Sequence, residues 1–129
     1  MSMTHEHYAE EAERQWGTTD AYAQSQQRLS RYTDEDIELS KKHQQEVVDL
    51  FIGAMNDGLP PESDQARYAA ECHRTVITQW WYDCSYDIQS NLAEMYISDS
   101  RFADHYNSQR EGLAQYVHDA IFANAIASL

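Results

Sequence analysis

Aromatic, sulfur and amide side chains are concentrated in the second half of this 129-residue sequence. They run from Gln79 through the segment 80–86, which reads Trp-Trp-Tyr-Asp-Cys-Ser-Tyr, to Phe102 and Tyr106 at helical spacing. No nucleophile, base and orienting group recur at a spacing typical of a catalytic site, so we expect a protein that is not an enzyme. Side chains of these types instead favour the capture of an apolar or aromatic ligand.

His73 and the two cysteines are further candidates for chemistry. His73 lies on an apolar helical stripe, where it could contact a ligand, hold a haem iron, or be a core histidine bonded to a neighbouring group. Cys72 and Cys84 lack the CxxC or HxxxH partners that preorganise a tetrahedral zinc site, so we expect no metal and no cofactor. Asp83 and Asp87 flank Cys84 and are expected to raise the pKa of its thiol.

The composition favours one domain over residues 1–129 that avoids nucleic acid and membranes. Nine Lys and Arg against 22 Asp and Glu give a formal net charge of −13, so phosphate backbones and anionic membranes are repelled. No apolar run approaches the roughly 20 residues of a membrane span, and the first six residues lack the features of a signal peptide. We therefore expect a cytoplasmic chain with reduced thiols.

The apolar periodicity between a few glycine and proline breaks predicts an all-α fold. The pattern predicts helices that end at Gly17 and before Thr33, then helices from Thr33 to Asn56, over 62–80, over 84–96, from Asp99 to Tyr106, and from about Gly112 to Asn124. The inward stripe of the fifth of these helices is predicted to be Cys84, Ile88, Asn91, Leu92, Met95 and Tyr96. The amides of Gln89, Asn91 and Asn124 are expected on or beside inward faces, where each needs a hydrogen-bond partner.

Residues 1–36 differ in composition from the rest of the chain. They contain a single branched aliphatic residue, Leu29, so they have little apolar surface to offset the entropy cost of ordering. We expect a stable helical body over 37–129 and an N-terminal helical pair that docks weakly. That pair is either a mobile lid over a ligand or a solvated pair permanently packed through Trp16 and Tyr22.

Several long motifs resemble the TipAS antibiotic-recognition domain. They are QWGTTDAYAQS at 15–25, YDCSYD at 82–87, LAEMYISDSRF at 92–102, GLAQY at 112–116 and DAIFANA at 119–125. The resemblance covers nearly the whole chain and implies a globin-like helical fold without haem. It also implies the effector domain of a MerR-type transcription activator, which binds thiopeptide and other bulky multidrug ligands in a cleft. In that family the N-terminal helices are mobile without drug and fold over it.

The aromatic pattern and the resemblance together predict a site for reversible ligand binding. The predicted ligand-contacting residues are Trp16, Tyr22, His73, Trp80, Trp81, Tyr82, Cys84, Tyr86, Asn91, Met95, Tyr96 and Phe102. The best-known member of the family attaches covalently to a dehydroamino acid of the antibiotic through a cysteine seven positions after the Tyr-Asp-Cys cysteine. That position is Asn91 here, so covalent capture by that route is not expected.

The resemblance leaves the wider context open. The DNA-binding and dimerisation regions of the family do not occur in this sequence, so contact with DNA is expected only through a MerR-type domain outside this chain. A full-length regulator is expected to be a homodimer and the isolated domain a monomer. The sequence is compatible with an excised effector domain and with a stand-alone drug-sequestering resistance protein. It is also compatible with a haem or redox sensor that uses His73 and Cys84, and with a protein-interaction module that uses the exposed aromatic residues.

Overall fold

The computed structural model describes residues 19–129, which form six α-helices. They are α1 (Asp20–Leu29), α2 (Asp34–Asn56), α3 (Asp64–Trp80), α4 (Tyr86–Ser98), α5 (Ser100–Gln109) and α6 (Leu113–Ala127). The all-α prediction is confirmed for this part of the chain, which contains no strand. The predicted helix that ends at Gly17 lies outside the described residues.

Short polar side chains begin five of these helices. Thr33 Oγ1 accepts a hydrogen bond from the Asp36 backbone N–H at 3.1 Å, and the Asp36 carboxylate accepts one from the Thr33 N–H at 3.0 Å. This reciprocal capping box satisfies two N–H groups that the first turn of α2 leaves unpaired. The other four side-chain caps are Thr19, Ser63, Ser85 and Asp99. The predicted helix starts at Thr33 and Asp99 are therefore confirmed, whereas α3 begins two residues later than the expected Glu62 because Ser63 is its cap.

The last helix, α6, is the centre of the fold. It begins after Gly112, whose φ of 82° is a conformation that glycine adopts without strain, and the predicted start is confirmed. Because α6 is apolar on nearly all sides, it packs against α2, α3, α4 and α5. Leu113, Val117 and Ile121 are fully buried along it.

Alanines on α3 allow neighbouring helices to approach closely. Ala66, Ala69 and Ala70 are fully buried and pack with Phe51 of α2 and Ala93 of α4 in one core. These small side chains carry almost no rotamer entropy to lose, so they pack at a low entropic cost. The apolar helical stripe on which His73 was predicted to lie is confirmed, because the buried residues of α3 run from these three alanines through His73 to Trp80.

Helix α1 lies at the periphery of the described structure, and none of its residues is buried. The expected boundary between lid and body, at 36/37, falls within the first turn of α2. Because Thr33 is the N-cap of α2, an N-terminal segment that moved separately from the helical body would end at Thr33. Within residues 19–129, no helix has the length and apolar character needed to cross a membrane.

Candidate ligand-binding site

Three of the predicted aromatic residues lie together where α3 ends. We define the aromatic end as residues 78–83 together with Tyr32 and His43, which pack against them. Trp80 is the last residue of α3 and is buried, and its indole Nε1–H donates to His43 Nδ1 at 3.0 Å. The Tyr32 ring packs in a T-shaped arrangement against Trp80 and Trp81 at centroid distances of 5.5 and 6.0 Å. Trp81 and Tyr82 are half-buried, so parts of their surfaces remain accessible to a ligand.

Helix α1 is held against the aromatic end by polar contacts. The Arg28 guanidinium donates to the Thr78 carbonyl and pairs with the Asp83 carboxylate at 3.2 Å. The Asp83 backbone N–H donates to Gln24 Oε1 at 2.9 Å. The Tyr32 hydroxyl, just beyond α1, donates to the Trp80 carbonyl. Arg28 and Tyr32 thereby satisfy the Thr78 and Trp80 carbonyls, which the end of α3 leaves without helical partners.

The two predicted lid residues differ in what the structure describes. Tyr22 is half-buried in the first turn of α1, and its backbone N–H donates to the capping Thr19 at 3.1 Å. Trp16 lies outside the described residues. The predicted contact of each with a ligand stays a prediction.

Cys84 and Tyr86 lie beside the aromatic end in a separate polar cluster. The Tyr86 hydroxyl donates to the Glu71 carboxylate at 2.9 Å, and the Arg74 guanidinium lies 4.3 Å from the centre of the Tyr86 ring. Arg74 also donates to Glu71 at 2.8 Å and to the Cys84 carbonyl at 3.0 Å. The hydrogen bond from Arg74 is the main reason that the pKa of Glu71 is lowered. The Glu71 and Arg74 pair on α3 is therefore joined to the start of α4 through the Tyr86 hydroxyl and the Cys84 carbonyl.

The Cys84 thiol is buried, and burial raises its pKa to about 11. Arg74 opposes this shift and Glu71 adds to it. The expected direction of the shift is confirmed, but its cause differs, since desolvation and Glu71 replace Asp83 and Asp87. A buried thiol with this pKa is a poor nucleophile at neutral pH.

His73 is a core histidine whose two ring nitrogens are both hydrogen-bonded. Gln89 Nε2 donates one hydrogen to the Ala70 carbonyl at 2.8 Å and the other to His73 Nδ1 at 2.9 Å. His73 Nε2 therefore carries the ring proton and donates to the Tyr96 hydroxyl at 3.1 Å. Burial lowers the pKa of His73 to about 4, so the ring is neutral at pH 7. Neither nitrogen is free to bind a haem iron or a ligand without breaking this network.

Tyr96 and Phe102 belong to the same interior region. The Tyr96 ring lies 5.7 Å from Phe102 and 5.0 Å from Tyr106 between centroids, and Tyr96 and Tyr106 are buried. Phe102 packs against the core while remaining partly exposed. These residues and His73 form an internal group that is distinct from the aromatic end, and their predicted contact with a ligand stays a prediction.

The predicted inward stripe of α4 is partly wrong. Its buried residues are Gln89, Ala93 and Tyr96, whereas Asn91 is exposed and Met95 is half-buried. Two residues along an α-helix correspond to a rotation of about 200°, so Asn91 lies on the face opposite to Gln89. The amide that needs an internal partner is therefore Gln89, and Asn91 is open to solvent.

Two amide side chains, those of Gln89 and Asn124, retain a buried atom without a hydrogen bond to the described residues. Gln89 Oε1 has no donor, although Gln89 is fully buried. Asn124 Nδ2 makes no hydrogen bond of normal geometry, although its side chain lies close enough to Glu71 to help lower the pKa of that carboxyl. The expected partner is thus found for the Gln89 nitrogen but not for these two atoms.

The sequence interpretation missed the polar residues that join these groups. They are Gln24, Arg28, Tyr32, His43, Glu71, Arg74 and Thr78. The Glu71 and Arg74 pair was detectable, because residues three apart on a helix are neighbours. The contacts of Arg28 and His43 join positions 37 to 55 residues apart, and no local pattern indicates them.

Comparisons with known proteins agree with this architecture. The chain is 42% identical over 119 residues to the HTH-type transcriptional activator TipA of Streptomyces coelicolor, which covers 92% of this chain and 47% of that protein. It is 32% identical over 114 residues to the HTH-type transcriptional activator mta of Bacillus subtilis, which covers 88% of this chain and 43% of that protein. The chain therefore spans about half the length of these relatives.

Two solved structures are similar as well. The Streptomyces lividans TipAS complex with nosiheptide, described as part of a thiopeptide antibiotic multidrug resistance system, matches with a TM-score of 0.91 at 39% identity. That match covers 98% of this chain and 89% of the other. The antibiotic-binding domain of a TipA-class multidrug resistance transcriptional regulator matches with a TM-score of 0.65 at 39% identity, over 69% of this chain and 95% of that one.

The family assignment follows from the extent of these matches. The family model of the TipAS antibiotic-recognition domain matches residues 8–124, which include all six described helices except the end of α6. This range also contains every motif on which the sequence resemblance depends except the last residue of the final one. The chain therefore belongs to the TipAS antibiotic-recognition domain family.

Proposed function

We propose that this chain binds thiopeptide-type or similarly bulky aromatic antibiotics, reversibly and without catalysis, as the effector-sensing part of a MerR-type transcription activator. The family assignment and the similarity to a nosiheptide complex support the ligand class. The observation that carries the mechanism is the position of α1, which covers the aromatic end without burying any residue of its own.

The ligand supplies the apolar surface that α1 lacks. In this mechanism the drug lies between the N-terminal segment and the partly exposed rings of Trp81 and Tyr82, and Tyr22 and Trp16 close over it. The gain from burying these rings must exceed the cost of ordering the segment, on the order of 2–5 kcal/mol for folding coupled to binding. Because the N-terminal segment is then more ordered with the drug than without it, drug binding shifts the conformational equilibrium of an attached DNA-binding domain.

Amide hydrogen exchange tests the lid directly. We expect nosiheptide to slow exchange in residues 4–32 by tenfold or more, while the buried segments of α6 change little. The natural chain is compared with the variant Trp81→Ala, which removes one wall of the proposed cleft. This variant is expected to show weaker ligand-induced protection. Unchanged exchange in residues 4–32 at saturating nosiheptide would rule out the lid.

The exposed position of Asn91 gives a second test, of reversible capture. Asn91→Cys places an accessible thiol where the family resemblance puts the covalent residue, so we expect it to form a mass adduct with nosiheptide over hours. The natural chain is expected to form none, because Cys84 is buried and its pKa is raised to about 11. Asn91→Ser is the matched control. An adduct on Cys84 of the natural chain would contradict reversible binding.

A further inference from the structure

A groove of about 470 Å³ lies between the second half of α2 and the first turns of α3. It shares no residue with the aromatic end or with the cluster around Tyr86, and it opens to solvent. Cavities of about 300–1,000 Å³ are typical of sites for small molecules. Two large and largely apolar residues in its walls are exposed to solvent: Leu50 exposes 41% of its surface and Tyr68 exposes 63%.

Gly53 lies in the lining of this groove and is not explained by packing or by backbone geometry. It lies inside the 23-residue helix α2, where glycine is a poor helix former, and its φ is not positive. A Cβ built on Gly53 would meet no atom within 4 Å. The fold would therefore accept a side chain here, and the effect of having none is to keep the groove open.

The missing side chain leaves a gap between two carboxylates. Asp49 and Gly53 lie one turn apart on one face of α2, and Asp57, the C-cap residue just after the helix, continues that face by a further turn. The two Asp Cα atoms are about 12 Å apart. Asp49 accepts a hydrogen bond from the Gln45 amide at 3.0 Å, and neither carboxylate forms an ion pair within residues 19–129. Across the groove, the charge of Asp64 is offset by its pairing with Arg67.

We propose that this groove is a second ligand site, separate from the antibiotic cleft, for a small amphiphilic organic cation. Its ammonium group lies over Gly53 between Asp49 and Asp57, and its apolar part packs on Leu50 and the face of Tyr68. The carboxylates of Asp49 and Asp57, which have no cationic partner within residues 19–129, complement the cation, and an exposed tyrosine ring attracts it further. The absence of a side chain at Gly53 sets how closely the cation approaches the helix.

Titration with 2-(1-naphthyl)ethylammonium tests this site against its neutral analogue, 2-(1-naphthyl)ethanol, which has the same apolar part. We expect saturable amide chemical-shift changes confined to residues 49–57 and 64–68, with at least tenfold tighter binding of the amine at low salt. Equal affinity of the two compounds, or changes centred on the aromatic end, would overturn the proposal.

Two variants and one control variant distinguish binding in the groove from general attraction to an acidic protein. Gly53→Leu fills the gap and is expected to weaken amine binding at least tenfold without lowering the thermal midpoint, while nosiheptide binding is retained. Asp57→Asn is expected to weaken amine binding threefold or more, and Asp104→Asn, the same change on the exposed surface of α5, is expected to leave it unchanged. An equal effect of both Asn substitutions on amine binding would show that the amine is attracted by the net charge of the protein alone. Undiminished binding of the amine to Gly53→Leu would also refute the site.

Discussion

At the scale of single residues, the neutral state of His73 is coupled to folding. Its pKa falls from an ordinary value of 6.5 to about 4 because the ring is buried. The unfolded chain therefore takes up a proton on this residue between about pH 6.5 and pH 4, whereas the folded chain does not. The stability that depends on a neutral His73 is fully present above pH 6.5 and is lost as the pH falls toward 4, by up to about 3 kcal/mol.

This pH dependence is testable with His73→Gln, which keeps a hydrogen-bonding side chain but does not titrate. At pH 7 the variant is expected to be less stable than the natural chain, since the bonds of His73 to Gln89 and Tyr96 are disturbed. The difference between their free energies of unfolding, measured in urea, is expected to shrink as the pH is lowered to 4.5. A difference that stays constant over this range would contradict a depressed pKa of His73.

At the scale of elements, α1 depends on a few polar contacts and α2 to α6 depend on apolar burial. The local signals for these elements were readable from the sequence, because caps such as Thr33 and Asp99 and the break at Gly112 act over a single helical turn. The face of α4 was less readable, since Asn91 and Gln89 are both amides on a helix whose apolar residues are spread around it. Packing against Ala70 and His73 selected Gln89 as the inward one.

Arg28 makes two of the polar contacts that hold α1 against the aromatic end. Arg28→Ala removes a partly buried hydrogen bond to the Thr78 carbonyl and an exposed ion pair with Asp83. Amide exchange in residues 23–29 is therefore expected to become about two- to tenfold faster. The matched control is Arg31→Ala, which removes an exposed cation just beyond α1. Added salt is expected to speed exchange in the natural chain toward the Arg28→Ala value. Equal effects of the two substitutions would exclude a specific role for Arg28.

At the scale of the whole molecule, stability resides in the core around α6, away from the proposed ligand site. The helix contacts four others, so a cavity made in it is felt by most of the fold. This arrangement leaves the aromatic end and α1 free to change with a ligand while the body keeps its shape. Such a division is typical of proteins whose binding segments come from the least stable part of the structure.

The central role of α6 predicts a strong contrast between two isoleucines on the same helix. Ile121 is fully buried, so Ile121→Ala is expected to lower the free energy of unfolding by about 2–5 kcal/mol. Ile126 is 67% exposed, and Ile126→Ala is expected to change it by less than about 0.5 kcal/mol. Urea unfolding of both variants measures the contrast, and similar values for the two would disprove a core centred on α6.

The sequence by itself determined the helices, the caps at Thr33 and Asp99, the family and the aromatic segment at 80–86, because each of these depends on neighbours within a few residues or on motifs read in order. Tertiary structure alone decided what those residues contact. It separated the predicted site into the aromatic end, the cluster at Glu71 and Tyr86, and the interior network of His73, since these groups depend on packing between helices. It also placed Arg28 beside Asp83, 55 residues away, which no local pattern specifies.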